Sequence, residues 1–247
     1  METPNIDYSA MLQKSEEWIQ ERCGRFTASN FSRLIADATR PMTPSEFEEY
    51  KKANPKGQKK TIADPELLSE GAMSYILEVS GEILTGMSSE SDFSNKSMEW
   101  GIMQEPSARK LYGLVKRVVV SEVGIVHLKN NEYVSGSPDG LVGIDGRVEI
   151  KCPEKNAKHL ENLMLQNVWQ LKEAHPDYYW QCIGGILLAE RQWWDFVSYS
   201  PNFPGTLKLK IIRLNIQEVR SDVRTLAIKL KSATKKLKEI LEKLKQD

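Results

Sequence analysis

Cysteine is scarce and scattered in this chain. Cys23, Cys152 and Cys182 are three in number and lie far apart. They imply neither a disulfide framework nor a thiolate metal knuckle, and a reducing compartment is expected. His127, His159 and His175 show no ligand spacing. No run of residues approaches the length of a membrane span, and the N-terminus has no basic-then-apolar leader, so a cytoplasmic protein is expected. Net charge is missing too, with 34 Lys and Arg against 34 Asp and Glu. Average charge therefore attracts no polyanion, and a nucleic-acid partner would have to meet a local positive surface. The distribution is uneven: residues 1–50 carry 5 basic and 9 acidic groups, residues 217–247 carry 9 basic and 5 acidic. No internal repeat is present. The 247 residues, 40% of them hydrophobic, are read as one α/β (α+β) domain over 1–247.

What the chain does have is a dense acidic hairpin. Ser137-Pro138-Asp139-Gly140 is followed by Arg147-Val148-Glu149-Ile150-Lys151. Two close carboxylates repel, and burial sharpens the repulsion, so a cation between them is expected. A hard divalent ion with oxygen ligands fits. Lys151, two residues after Glu149, shares its strand face. Metal-activated water beside a lysine suggests phosphodiester hydrolysis. Register decides whether this can work. A two-residue turn at Asp145-Gly146 would pair Asp139 with Cys152 and send Asp139 and Glu149 to opposite faces. A three-residue loop with Gly146 in the left-handed position pairs Asp139 with Lys151 and Leu141 with Glu149, placing all three polar groups on one face. The second register is expected, or an equivalent bulge near Gly140.

Elsewhere, residues 8–38 read as two helices. The first carries Met11, Leu12, Trp18 and Ile19. The second carries Phe31, Leu34 and Ile35, capped by Thr27 or Ser29. Residues 41–65, with Pro41, Pro44, Pro55, Gly57 and five lysines (51, 52, 56, 59, 60), read as a basic insertion loop around a short helix at 45–53. Further helices are expected at 65–84, starting at Pro65 and ending at Gly86, at 96–113, at 158–173 and around 178–189. Strands are expected at 115–120, 124–128, 133–135, 193–199 and 207–214. Residues 217–247 read as one long helix with a heptad seam of Val219, Val223, Leu226, Leu230, Ala233, Leu237, Ile240 and Leu244. The seam suits packing on the chain's own domain or on a partner helix.

Several segments now combine. Trp18-Ile19-Gln20-Glu21-Arg22 leads into Gly24-Arg25-Phe26-Thr27-Ala28-Ser29. Trp100-Gly101 and Glu105 follow, then the hairpin with Cys152-Pro153, then Tyr178 and Gln181, then Tyr199-Ser200-Pro201. In order and spacing, over roughly residues 15–215, these resemble the lambda-exonuclease-like (viral recombinase) family of the PD-(D/E)xK nuclease superfamily. The resemblance implies a restriction-endonuclease-like core, a central mixed β-sheet flanked by helices. It implies a magnesium-dependent 5′→3′ exonuclease on double-stranded DNA ends, leaving a 3′ single strand for recombination. Two Mg²⁺ ions per site are implied, with Mn²⁺ as a substitute. Asp139, Glu149, the carbonyl of Ile150 and Glu105 would ligate them. Lys151 would orient or deprotonate the water, and Gln181 would hold the water or the lysine. Arg22, Ser29 and Ser137 match a 5′-phosphate pocket, with Tyr178 near the chemistry. Met98 and Arg40 match a wedge that parts the duplex end. The family's partners and assembly imply a single-strand annealing protein, a phage or prophage origin and a ring-shaped homotrimer.

Bland alternatives stand beside these roles. Arg22 could pair with Glu16, Glu17 or Glu21. Ser29 could be a helix cap, Glu105 a solvated first-turn residue, and Tyr178 packing. A superfamily endonuclease would share the hairpin without a 5′-phosphate pocket. A non-enzymatic DNA-binding module would share the fold. An iron–sulfur relative is not expected, since three scattered cysteines cannot supply the usual four ligands.

Overall fold

The computed structural model describes residues 15–89 and 96–245. Helix α1 (Glu16–Arg22) begins at Ser15, whose Oγ accepts the Trp18 N–H. Met11 and Leu12, assigned to this helix from the sequence, lie outside the described residues. Strand β1 (Phe26–Thr27), a 3₁₀ turn (Ala28–Asn30) and helix α2 (Ser32–Ile35) follow. Thr27 precedes the turn without a side-chain capping bond and Ser29 sits within it, so neither caps α2.

The expected insertion loop has regular structure. Strands β2 (Asp37–Pro41) and β3 (Thr61–Leu68) pair as an antiparallel ribbon, with helix α3 (Pro44–Ala53) between them. Thr43 and Glu46 close a capping box at the start of α3. The next helix, α4 (Glu70–Thr85), starts after Ser69, which accepts the Ala72 N–H. Pro65 belongs to β3 instead. Pro65 falls where the β2–β3 register shifts between Asp64 and Leu68, a place that needs no ladder N–H, and Ser69 supplies the cap. Gly86 ends α4 with φ +69°, as a left-handed cap requires.

Helix α5 (Lys96–Lys116) continues through Val115, where a strand was expected, and only β4 (Val120–Ser121) is extended there. Strands β5 (Val126–Leu128), β6 (Asn131–Gly136), β7 (Gly140–Val142) and β8 (Gly146–Lys151) follow. The expected 158–173 helix is two, α6 (Asn156–Met164) and α7 (Val168–Ala174). Asn167 breaks the run and caps α7 by accepting from the Trp169 and Gln170 N–H groups. Helix α8 (Pro176–Ala189), strands β9 (Trp193–Tyr199) and β10 (Leu209–Asn215), and helix α9 (Ile216–Leu244) complete the chain. Residues 205–208 form a 3₁₀ turn rather than the start of β10.

A five-stranded mixed sheet runs β10-β9-β8-β7-β4, with β8 and β9 parallel. Their crossover is α6, α7 and α8, since a parallel pair cannot be joined by a tight turn. A second sheet runs β1-β6-β5. Pairing puts Arg147, Glu149 and Lys151 of β8 beside Trp194, Phe196 and Ser198 of β9, the face that meets α8. The alternate residues Val148, Ile150, Val197 and Tyr199 form a core cluster with Ala108 and Tyr112 of α5. The larger core lies on the α8 side and takes in α2, α4 and α9. Most of the heptad seam of α9 goes there: Val219, Leu226, Leu230, Ala233 and Leu237 are buried against the chain itself and Val223 and Ile240 are partly buried, while Leu244 is exposed and Leu241, outside the expected seam, is buried in its stead. No helix among the described residues is long and apolar enough to cross a membrane.

Candidate active site

The hairpin loop has three residues, but one position earlier than expected. Gly140 pairs with Val148, Leu141 with Arg147 and Val142 with Gly146. The left-handed residue is Gly143, φ +55°, not Gly146. The slip shifts the partner of each residue by two and so preserves the face, because side chains alternate with period 2. Asp139 precedes Gly140 as Glu149 follows Val148, so the register sets the two carboxylates directly opposite rather than diagonal. Gly140 lets Val120 of β4 and Val148 of β8 close over the backbone beside Asp139: a Cβ there would lie 2.3 Å from Val120 Cγ1 and 3.2 Å from Val148 Cγ2.

Asp139 and Glu149 are 8% and 2% exposed. Asp139 Oδ2 accepts the Ile150 N–H at 2.6 Å. Lys151 Nζ donates to Glu149 Oε1 and to Gln181 Oε1, each at 2.9 Å. It also lies 5.0 Å from the centre of the Tyr178 ring, which stacks on Phe196. Burial, and then the charge of Asp139, push the Glu149 carboxyl from 4.5 up to about 8 against the pull of Lys151, with Glu105 adding to the push. Burial by itself would lower the Lys151 ammonium, but Glu149 and Asp139 reverse that and raise it. Glu105 reaches the cluster through α5. Arg109 binds it, and the same guanidinium donates through Nε to the Asp139 carbonyl at 2.9 Å.

Two buried carboxylates whose mutual repulsion raises a pKa are what a cation would relieve. All-oxygen donors suit a hard divalent ion. Among the described residues no group of three or more His, Cys, Asp and Glu side chains is arranged to hold a metal. The fit therefore rests on Asp139, Glu149 and backbone oxygen.

A second cluster adjoins the first. Arg22 is 7% exposed and donates through Nη2 to Ser29 Oγ at 3.2 Å. Its guanidinium lies 4.1 Å from the Trp18 ring centre. Trp18 Nε1 donates to Ser137 Oγ at 3.3 Å. Arg22, Ser29 and Ser137, distant in sequence, are thus joined through Trp18, and Ser137 stands two residues before Asp139. Thr27 and Tyr75 hold the turn that carries Ser29, with the Thr27 N–H donating to Tyr75 Oη at 2.9 Å.

Two candidates remain. Arg40 sits in the ribbon, bonded bidentately to Glu46 and through Nε to Asp64 at 3.0 Å. Met98 is 45% exposed on the first turn of α5. Three residues of the site were given no role of their own from the sequence. Trp18 read as a helix face and as the start of the segment that ends in Arg22. Arg109 lies four residues from Glu105, a spacing that could have flagged it. Arg147, fully buried, lines a small cavity with Glu149 and Gln181.

This fold, a mixed sheet between helices with an acidic hairpin at its centre, is the fold of alkaline exonucleases. It superposes with a TM-score of 0.61 on an alkaline exonuclease (LHK-Exo) from Laribacter hongkongensis, at 27% identity over 93% of this chain and 100% of that one. The same enzyme in complex with dAMP gives 0.62 with the same identity and coverage. A phage-related exonuclease from Haemophilus somnus 129PT gives 0.63 at 15% identity, over 89% and 96% of the two chains, which shows the fold alone. The chain belongs to the YqaJ-like viral recombinase domain family, which matches residues 17–192. No curated protein sequence matches it.

Proposed function

We propose that this protein is a divalent-metal-dependent 5′→3′ exonuclease that digests one strand from double-stranded DNA ends and leaves a 3′ single strand for recombination. The observation that carries the reading is the bond from Trp18 to Ser137. It sets an arginine–hydroxyl pocket two residues from Asp139. A guanidinium fork with two hydroxyls suits a terminal phosphate dianion. A 5′ phosphate held there lays the next phosphodiester against Asp139 and Glu149, which sets the direction of digestion. The dAMP complex of the LHK-Exo structure supports a mononucleotide product.

Asp139, Glu149 and the Ile150 carbonyl would hold Mg²⁺, with Mn²⁺ as a substitute, and Glu105 would support a second ion. Such ions would supply an activated water and steady the leaving oxygen. Lys151 orients that water and offsets the charge developing on the phosphate. Gln181 fixes the lysine through its amide oxygen, and the Tyr178 ring holds it from the other side. Arg109 keeps Glu105 against the hairpin. The DNA partner would be shared with a single-strand annealing protein, the assembly would be a homotrimer, and the setting would be the cytoplasm of a phage-carrying bacterium.

The test is linear duplex labelled separately at each end, with and without 5′ phosphate, beside a closed circle, all in Mg²⁺. Phosphorylated ends should be digested from the 5′ terminus and circles spared. Arg22→Ala should erase the preference for phosphate, and Lys151→Ala should abolish digestion while the fold melts normally. Equal cutting of circles and linear DNA would overturn the exonuclease reading in favour of an endonuclease.

A further inference from the structure

A groove of about 320 Å³ lies between the β5–β6 turn and α9. That volume is at the lower end of ligand-site sizes, roughly 300–1000 Å³. Lys129, Lys231 and Lys238 line it, all exposed. Among the described residues none of the three forms a salt bridge, although surface carboxylates neutralise many other cations of this chain. Glu132 is the one acid in the lining. Tyr133 forms part of the wall, half-buried, with Lys238 Nζ 5.4 Å from its ring centre.

The groove is the exposed edge of a wider charge bias. Residues 223–238 of α9 carry Arg224, Lys229, Lys231, Lys235, Lys236 and Lys238 and no Asp or Glu, in a chain of zero net charge. Lys229 is buried and turned toward the ribbon, where its Nζ donates to the Leu67 carbonyl. Lys236 pairs with Glu239, and Arg224, Lys231, Lys235 and Lys238 are exposed. The groove is also connected to the hydrolytic cluster by two rigid elements. Leu187, in its lining, follows Gln181 by six residues on α8, a rise of about 9 Å. Strand β6 runs from Asn131 in the groove to Gly136, next to Ser137.

We infer that this groove holds the phosphates of the single strand that digestion leaves behind, a short way from the point of cleavage. The inference rests on the exonuclease reading for its source of single strand. A narrow trough lined by lysines with one aromatic face tracks a single backbone, whereas a duplex would need a far wider surface. Holding that strand would keep the protein on its substrate between cuts.

The test combines Lys129→Ala, Lys231→Ala and Lys238→Ala, none of which touches the hydrolytic cluster. Binding is measured in EDTA by fluorescence anisotropy from 50 to 200 mM salt. One probe is a duplex with a recessed 5′ phosphate and a 20-nucleotide 3′ tail, and the other is a blunt duplex. Removing three phosphate contacts should lower the tailed-duplex salt slope by about 2 and its affinity by roughly tenfold or more, with little change on the blunt duplex. In Mg²⁺ the first cuts should proceed at the parent rate, while the tract digested per encounter shortens. Unchanged affinity for the tailed duplex, or equal loss on both probes, overturns the inference. The parent protein separates the two readings: if it fails to digest linear DNA, the exonuclease assignment falls, while the metal-free binding comparison still decides the groove.

Discussion

Glu149→Gln should stabilise the metal-free protein and abolish cleavage in one step. Glu149 is 2% exposed, and burial followed by the Asp139 charge lifts its pKa from 4.5 to about 8. The fold therefore retains a proton that the unfolded chain releases above pH 4.5. The group's contribution to stability is intact below that pH and is lost as pH rises through 8. At pH 7 the gap is two and a half pH units, each about 1.4 kcal/mol, or roughly 3 kcal/mol in all. An amide carries no such dependence and still offers a carbonyl to Lys151. Some of the gain is returned near pH 8, where Lys151 loses a partly ionised partner, but its side chain is 23% exposed and keeps Gln181. The net should be about 1–3 kcal/mol, a rise in Tm of about 3–10 °C for a chain of this size. The assay is thermal unfolding in EDTA at pH 5, 7 and 8. The advantage should be large at pH 7 and 8 and nearly gone at pH 5. Added Mg²⁺ should raise the Tm of the parent and not of the variant, and the variant should leave linear duplex uncut. A variant that melts below the parent at pH 8, or one that still digests DNA, would refute the reasoning.

Three further outcomes are expected. Mn²⁺ affinity, followed by calorimetry, should strengthen by up to about tenfold per pH unit between pH 6 and 8 and then level off, because the ion displaces the Glu149 proton; a flat profile would count against that carboxyl as a ligand. Trp18→Phe keeps a ring beside Arg22 and loses the bond to Ser137 at 3.3 Å, so the preference for 5′-phosphorylated ends should fall about fivefold, near 1 kcal/mol. The same loss should be seen in Ser137→Ala and should not add in the double variant, whereas additive losses would show that the two residues act separately. Gly140→Ala should cost about 1–3 kcal/mol by overpacking against Val120, read as a lower Tm, and Val120→Ala in the same chain should recover most of it; no recovery would mean the strain lies elsewhere.

Local order was legible where neighbouring residues decide the outcome. The alternation around Asp145-Gly146 gave the hairpin and the shared face of Asp139, Glu149 and Lys151. Parity protected that conclusion even though the loop sits one residue earlier. The Gly86 stop and the long apolar seam of α9 were likewise readable from spacing. Tertiary structure decided what depends on contacts between distant segments. Whether the α9 seam meets its own core or a partner is invisible in a heptad, which fixes a face but not what covers it. The β2–β3 ribbon was missed because Arg40, Glu46 and Asp64 stabilise it across 24 residues of sequence. The bond from Trp18 to Ser137, which ties Arg22 to the hairpin, spans 119 positions in the chain, and the raised pKa of Glu149 comes from burial and then from the charge of Asp139. Sequence periodicity sets which way a side chain faces along its own element, but proximity and dielectric are properties of the packed whole.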